Sequence, residues 1–219
     1  MIHALRASLV AAADPDQAAP MAAYMKGLFP FLGVPSPRRK LAQKPTLDAL
    51  KHQPIEAILH TVDACWEQPE REFQYVGADL LRRYAKRLQP EHLATLRRYI
   101  TTHSWWDTVD VLAAHAVGPL VRSHTELVND MDQWITDPNI WVARTALLHQ
   151  LTYKEATDGE RLFRYVTLRM HEPEFFLRKA CGWALREYAR QQPQAVRAFV
   201  AAHEASLSGL TKREALKHL

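Results

Sequence analysis

Glycine is scarce in this sequence, with seven among 219 residues. No Asn-Gly or Asp-Gly pair lies between alternating apolar runs, so the tight hairpins of a β-protein have nothing to form on. Cysteine is scarcer still. Cys65 and Cys181 are isolated, each inside an apolar helical pattern; this excludes a disulfide framework and marks both as small buried hydrophobes in a reducing compartment. No apolar run approaches the length that spans a bilayer. The stretch from Met1 to Ala13 meets Asp14, Pro15 and Asp16 before it can read as a secretory leader. A cytoplasmic protein without membrane association is therefore expected. The histidines show neither His-Glu-x-x-His nor any Cys/His ligand spacing, and the phosphate-cradling, nucleophile-elbow and dinucleotide glycine motifs are missing. No metal and no cofactor is expected, and nucleotide hydrolysis, serine hydrolysis and dinucleotide binding lose their usual warrants.

What the chain does have is an apolar fraction of 47%, enough to bury a proper core at this length. With hairpins poorly supported, it reads as all-α. The net charge of +4 is modest, but the cations cluster: Arg38, Arg39 and Lys40; Arg82, Arg83, Lys86 and Arg87; Arg97 and Arg98; Lys212, Arg213 and Lys217. Such clusters suit an anionic polymer, although solvated helix faces carry similar runs.

Self-similarity supplies the organisation. Phe73, Trp106, Trp141 and Phe176 each stand near a helix start, 33, 35 and 35 residues apart. A further step reaches Leu210, and one step back reaches Arg39 and Lys40. Each period has room for two helices, with Pro69, Pro90, Pro138, Pro173 and Pro193 near helix starts, where a missing N–H is harmless. The pattern predicts an α-solenoid of HEAT-like helical repeats with a concave groove, forming a single domain over 1–219: an N-terminal helical cap at 1–34, then helix-pair repeats over 35–219.

The candidate site lies in Ser104-Trp105-Trp106-Asp107-Thr108-Val109-Asp110. Trp106 and Asp110 are four residues apart and share a helix face. Counted from the repeat anchors, Asp110 is at plus four, Arg144 at plus three and Trp183 at plus seven, all on the anchor's face. Side-by-side stacking of the anchor helices would bring Trp106, Asp110, Arg144 and Trp183 to one surface. An aromatic plate beside an anion suits a flat or sugar-like group carrying positive charge. The same face is also where a helical repeat buries its core, so the tryptophans alone fit packing as well. A structural ion pair likewise accounts for Asp110 and Arg144. Trp66, Trp134 and Trp141 lack polar company and are assigned to the core.

Several segments, in order, make the sequence resemble the AlkD-type alkylpurine DNA glycosylases, DNA alkylation repair enzymes built from HEAT-like repeats. They are Met21-Ala22-Ala23-Tyr24-Met25-Lys26, Phe31-Leu32-Gly33-Val34, Pro69-Glu70-Arg71-Glu72-Phe73-Gln74, Ser104 to Asp110, Asn139-Ile140-Trp141, Gly182-Trp183-Ala184-Leu185-Arg186-Glu187-Tyr188-Ala189 and Lys212-Arg213-Glu214-Ala215. The resemblance implies excision of cationic N3- and N7-alkylpurines, such as 3-methyladenine and 7-methylguanine, from double-stranded DNA without base flipping. With no cofactor motif and no lysine nucleophile at the site, a cofactor-free, monofunctional enzyme is expected, and a monomer. By position the resemblance makes Asp110 the catalytic aspartate, with Trp106 and Trp183 beside the lesion's deoxyribose. Arg144 is its site arginine, expected to hold a flanking phosphate and keep Asp110 ionised, and Tyr24 its tyrosine near the DNA. Arg39, Lys212 and Arg213 are expected DNA contacts from the basic clusters. The alternatives are a non-catalytic HEAT-like protein that binds distorted or branched DNA and a protein–protein scaffold.

Overall fold

The computed structural model describes residues 1–219 and contains helices and no strands. The chain divides into two compact units, Met1–Arg87 and Leu88–Leu219. No helix is long and apolar enough to cross a membrane.

In the first unit, Asp14 caps the Pro15–Tyr24 helix by accepting from the Asp16 N–H at 3.1 Å. Leu5 and Leu9 of the Ile2–Ala11 helix are wholly buried. Arg6, on the same helix, reaches Glu70 at 2.8 Å and Gln68 at 2.7 Å. The loop through Leu32, Gly33 and Val34 is organised by a single buried carboxylate. Glu72 accepts from the backbone N–H groups of all three, at 3.1, 2.9 and 3.0 Å, so these donors are satisfied without a strand or helix. Gly33 is obligatory there, because its φ is +82° and a Cβ would lie 1.9 Å from the Asp14 carbonyl oxygen. The Glu72 and Gly33 motifs thus serve one structural device.

The predicted repeat is present as pairs: Ile55–Trp66 with Arg71–Arg83 in the first unit, then Leu93–Thr101 with Trp106–Leu112, Val128–Trp134 with Ile140–Leu148, Gly159–Arg169 with Phe175–Ala189, and Pro193–Ala202 with Gly209–Ala215 in the second. Every anchor falls in the opening residues of the second helix of its pair. Three of these starts are capped by side chains: Asn139 accepts from the Trp141 N–H at 2.9 Å, Glu174 from the Phe176 N–H at 3.5 Å, and Ser208 from the Thr211 N–H at 3.0 Å. The core assignments hold, since Trp66, Trp134 and Trp141 are buried and so are both cysteines. Burial pushes each thiol up to about 12, far from the reactive thiolate range.

One element departs from the expected pattern. The Trp106–Leu112 helix does not end in a turn but runs through a π-helical stretch, Ala113–Val117, into Gly118–Ser123. A π stretch leaves carbonyls without their normal partners. Here the Thr152 hydroxyl donates to Ala114 at 3.3 Å and the Tyr153 hydroxyl to Gly118 at 2.7 Å. Gly118 permits the approach: a Cβ would stand 2.2 Å from the His149 carbonyl oxygen. Buried His149 bonds the Ala146 carbonyl through Nδ1 at 2.7 Å, and burial lowers its pKa to about 4.

Candidate active site

Asp110 and Arg144 form the centre of the site. Arg144 donates from Nε to one Asp110 oxygen and from Nη2 to the other, each at 2.7 Å. Its Nη1 donates to the carbonyl of Phe176. Three successive anchor helices are tied together by one guanidinium. The Arg144 side chain is 3% exposed and that of Asp110 13%, so the pair sits at the edge of the interior with the carboxylate toward solvent.

Trp105 and the anchors Trp141 and Phe176 form an aromatic cluster across the same three helices. Trp105 and Phe176 have ring centroids 4.9 Å apart, Trp141 and Phe176 5.0 Å, and Trp105 and Trp141 5.6 Å. These are tilted and edge-on contacts of the kind aromatic quadrupoles favour. What holds the guanidinium against Asp110 is its own set of hydrogen bonds, to both carboxylate oxygens and to the Phe176 carbonyl.

In front of the pair lies an open cleft of ≈ 300 Å³ whose lining includes Asp110, Ala114, His115, Thr152, Trp183 and Glu187. Trp106 is half-buried, one helical turn before Asp110, and does not line this cleft. The structure therefore brings together Asp110, Arg144 and Trp183, on three helices, with Trp106 on the first of them.

Burial, the dominant influence, raises the Asp110 carboxyl above the ordinary aspartate range, and the negative charge of Asp107 adds to the rise. Arg144 opposes both through its hydrogen bonds and its charge. Arg144 thus acts in the direction expected of it, favouring the ionised form, but desolvation outweighs the pairing.

The basic residues separate into two kinds. Arg39 is buried, with Nη1 2.7 Å from Asp79 and 3.4 Å from Gln43. Like Arg144 it is committed inside the protein, whereas its neighbours Arg38 and Lys40 are exposed. The expectation that Arg39 and Arg144 face phosphates is thus replaced by buried pairing with carboxylates. Arg213 is exposed, and half-buried Lys212 donates to the Glu204 carbonyl at 3.0 Å. Tyr24, in the first unit, is 69% exposed at the end of its helix.

Sequence reasoning missed Thr152, His115 and Glu187. Glu187 is four residues after Trp183, a spacing that puts both on one helix face. His115 follows Asp110 by five, which in an α-helix points it away. Only the wider π turn rotates it into the cleft, and nothing in the sequence announces that turn. No group of three or more His, Cys, Asp or Glu side chains is arranged to hold a metal ion.

An all-α helical-repeat protein with a guanidinium-clamped aspartate beside an indole-lined cleft is the class these features define. The sequence model of the family described as DNA alkylation repair enzyme matches residues 5–219, and the chain belongs to that family. A solved structure described as a predicted DNA alkylation repair enzyme from Enterococcus faecalis is 34% identical, with 94% of this chain and 96% of that one covered and a TM-score of 0.87. Two structures from Streptococcus mutans, of AlkD2 and of smu.31, share the fold at 16% identity and a TM-score of 0.64. Each covers 81% of this chain, and the match takes in 88% and 90% of theirs. No curated protein matches the sequence.

Proposed function

We propose that the protein is a monofunctional DNA glycosylase that releases cationic N3- and N7-alkylated purines from duplex DNA by hydrolysing the N-glycosidic bond. The observation that carries this reading is the Asp110 carboxylate held on both oxygens by Arg144 at the wall of a cleft shared with Trp183.

An alkylated purine bearing formal positive charge is already a good leaving group. When its bond to C1′ breaks, the electron pair goes to the base, which departs neutral, and positive charge passes to the deoxyribose. A fixed anion near that ring is favoured more in the transition state than in the starting nucleotide, and this differential lowers the barrier. Asp110 is that anion. Water then bonds to C1′ and loses a proton, leaving an abasic site; Asp110 orients the water on the same side.

Trp183, which lines the cleft, faces sugar C–H bonds that become more positive as the cation forms, contributing about 0.5–2 kcal/mol. Trp106, one turn before Asp110 and outside that lining, adds to this only for a sugar that extends past the cleft toward it. Arg144 is a positioning residue. By occupying both carboxylate oxygens it fixes Asp110 in one rotamer before substrate arrives, a form of preorganisation. Tyr24 packs near the DNA, and phosphate contacts fall to exposed cations, among them Arg38, Lys40, Arg213 and the partly exposed Lys212. The damaged base remains in the duplex stack.

The test is chromatography of bases freed from methylated duplex DNA, with DNA carrying uracil or hypoxanthine alongside. Release of 3-methyladenine and 7-methylguanine, with at most trace release of the neutral bases, supports the reading. DNA binding without any release would instead favour a non-catalytic binder of distorted DNA.

A further inference from the structure

The cleft carries a second carboxylate that the reaction above does not use. Glu187 lies on the Phe175–Ala189 helix four residues after Trp183, and both line the cleft with Asp110. The two acids are not electrically equivalent. Asp110 is clamped on both oxygens by Arg144 at 2.7 Å, so the pair has no net charge and its field decays as a dipole's. Glu187 contacts Arg190 at 3.2 Å, with side chains 37% and 59% exposed, where water weakens the pairing. No lysine or arginine lines the cleft, and His115 is its remaining titratable side chain. Glu187 is therefore the lining acid whose charge is not cancelled by a buried partner.

We propose that Glu187 is the specificity-determining residue for charge: Asp110 supplies the local contact to the reacting sugar, and Glu187 supplies the net negative field that favours a cationic occupant over a neutral one. The proposal rests on the glycosylase reading and adds to it the residue that sets its demand for positive charge. Because its ion pair with Arg190 is solvent-exposed and weak, the Glu187 charge is felt beyond contact distance, and Glu187 acts without touching the scissile bond.

The experiment compares two duplexes of identical sequence. One carries a protonated pyrrolidine ring in place of the lesion's deoxyribose, the other a neutral tetrahydrofuran ring. Phosphate contacts are common to both, so the ratio of their dissociation constants reads the charge preference of the cleft. The wild type is expected to bind the cationic duplex more tightly. Glu187→Gln lowers that ratio by about three- to tenfold and Glu187→Lys lowers it further, with affinity for the neutral duplex unchanged in Glu187→Gln. An unchanged ratio in Glu187→Gln overturns the proposal, as does equal weakening toward both duplexes, which marks a merely structural or phosphate-related role. Wild-type release of 7-methylguanine separates the two layers: without release the glycosylase reading itself fails, and with release but an unchanged ratio only the role of Glu187 does.

Discussion

Arg144 holds both oxygens of Asp110 at 2.7 Å while its remaining terminal nitrogen binds the Phe176 carbonyl. One side chain thus ties the candidate catalytic carboxylate to the next two repeats, and the geometry of the site depends on the stacking of the helices. The guanidinium's planar fork is what permits this.

Arg144→Lys should therefore separate geometry from charge. Lysine keeps the positive charge but cannot clamp two oxygens and reach a carbonyl together. Single-turnover release of 7-methylguanine is expected to fall about 10- to 100-fold, with binding to undamaged duplex changed less than about threefold, since a buried side chain adds little to phosphate contact. A proportional loss of both would place Arg144 on the DNA instead.

The raised pKa of Asp110 predicts a pH dependence. The ionised carboxylate is the active form, so release falls as pH drops through the folded-state pKa. Burial sets that pKa above the ordinary aspartate value, so the acidic limb should lie above about 3.9. Removing the like charge in Asp107→Asn should move the limb to lower pH, because Asp107 contributes to the rise. Protein-dependent release, corrected for acid depurination, is the measurement. A limb that moves to higher pH in this variant would contradict the assignment.

Gly118→Ala tests the π turn. The added methyl would meet the His149 carbonyl oxygen at 2.2 Å, backbone that cannot swing aside. A loss of about 2–3 kcal/mol is expected, lowering the thermal midpoint by roughly 4–12 °C for a chain of this size. Base release at a temperature where the variant remains folded should fall as well, because the same turn aims His115 and Ala114 at the cleft.

Glu214 predicts a difference in acid stability. It accepts from Lys179 at 2.5 Å and from Arg186, and its carboxyl is held below the ordinary glutamate range, first by the Lys179 hydrogen bond. A depressed folded-state pKa contributes stability that is full above the unfolded value and is lost as pH falls through the folded one. Glu214→Gln should lower the midpoint near neutral pH by about 1 kcal/mol, roughly 2–4 °C. The gap from wild type should close below about pH 4.3. A gap independent of pH would assign the effect to packing.

Much of this site is legible in the sequence. Aromatic anchors at a near-constant period located the second helix of each pair, and helical offsets from them gathered Asp110, Arg144 and Trp183. That worked because an α-helix has one period, and any offset near its multiples returns to the same face. The register failed where the backbone itself changed: the turn from Ala113 to Val117 is π-helical, so His115 enters a cleft that α-helical counting denies it. The Arg38-Arg39-Lys40 run shows a second limit. Asp79, forty residues away, turns the middle residue inward, and no local pattern tells which of three adjacent cations has a distant acid waiting. The ionisation of Asp110 shows a third, since it depends on how far burial exceeds pairing, and that is a property of the packed site.

Single-turnover release of 7-methylguanine from methylated duplex DNA by wild type and by Asp110→Asn, at matched DNA occupancy, tests the central claim most directly. The substitution keeps the shape of the side chain and removes its charge. The account predicts retained binding with release at least about 100-fold slower; release at the wild-type rate would contradict it.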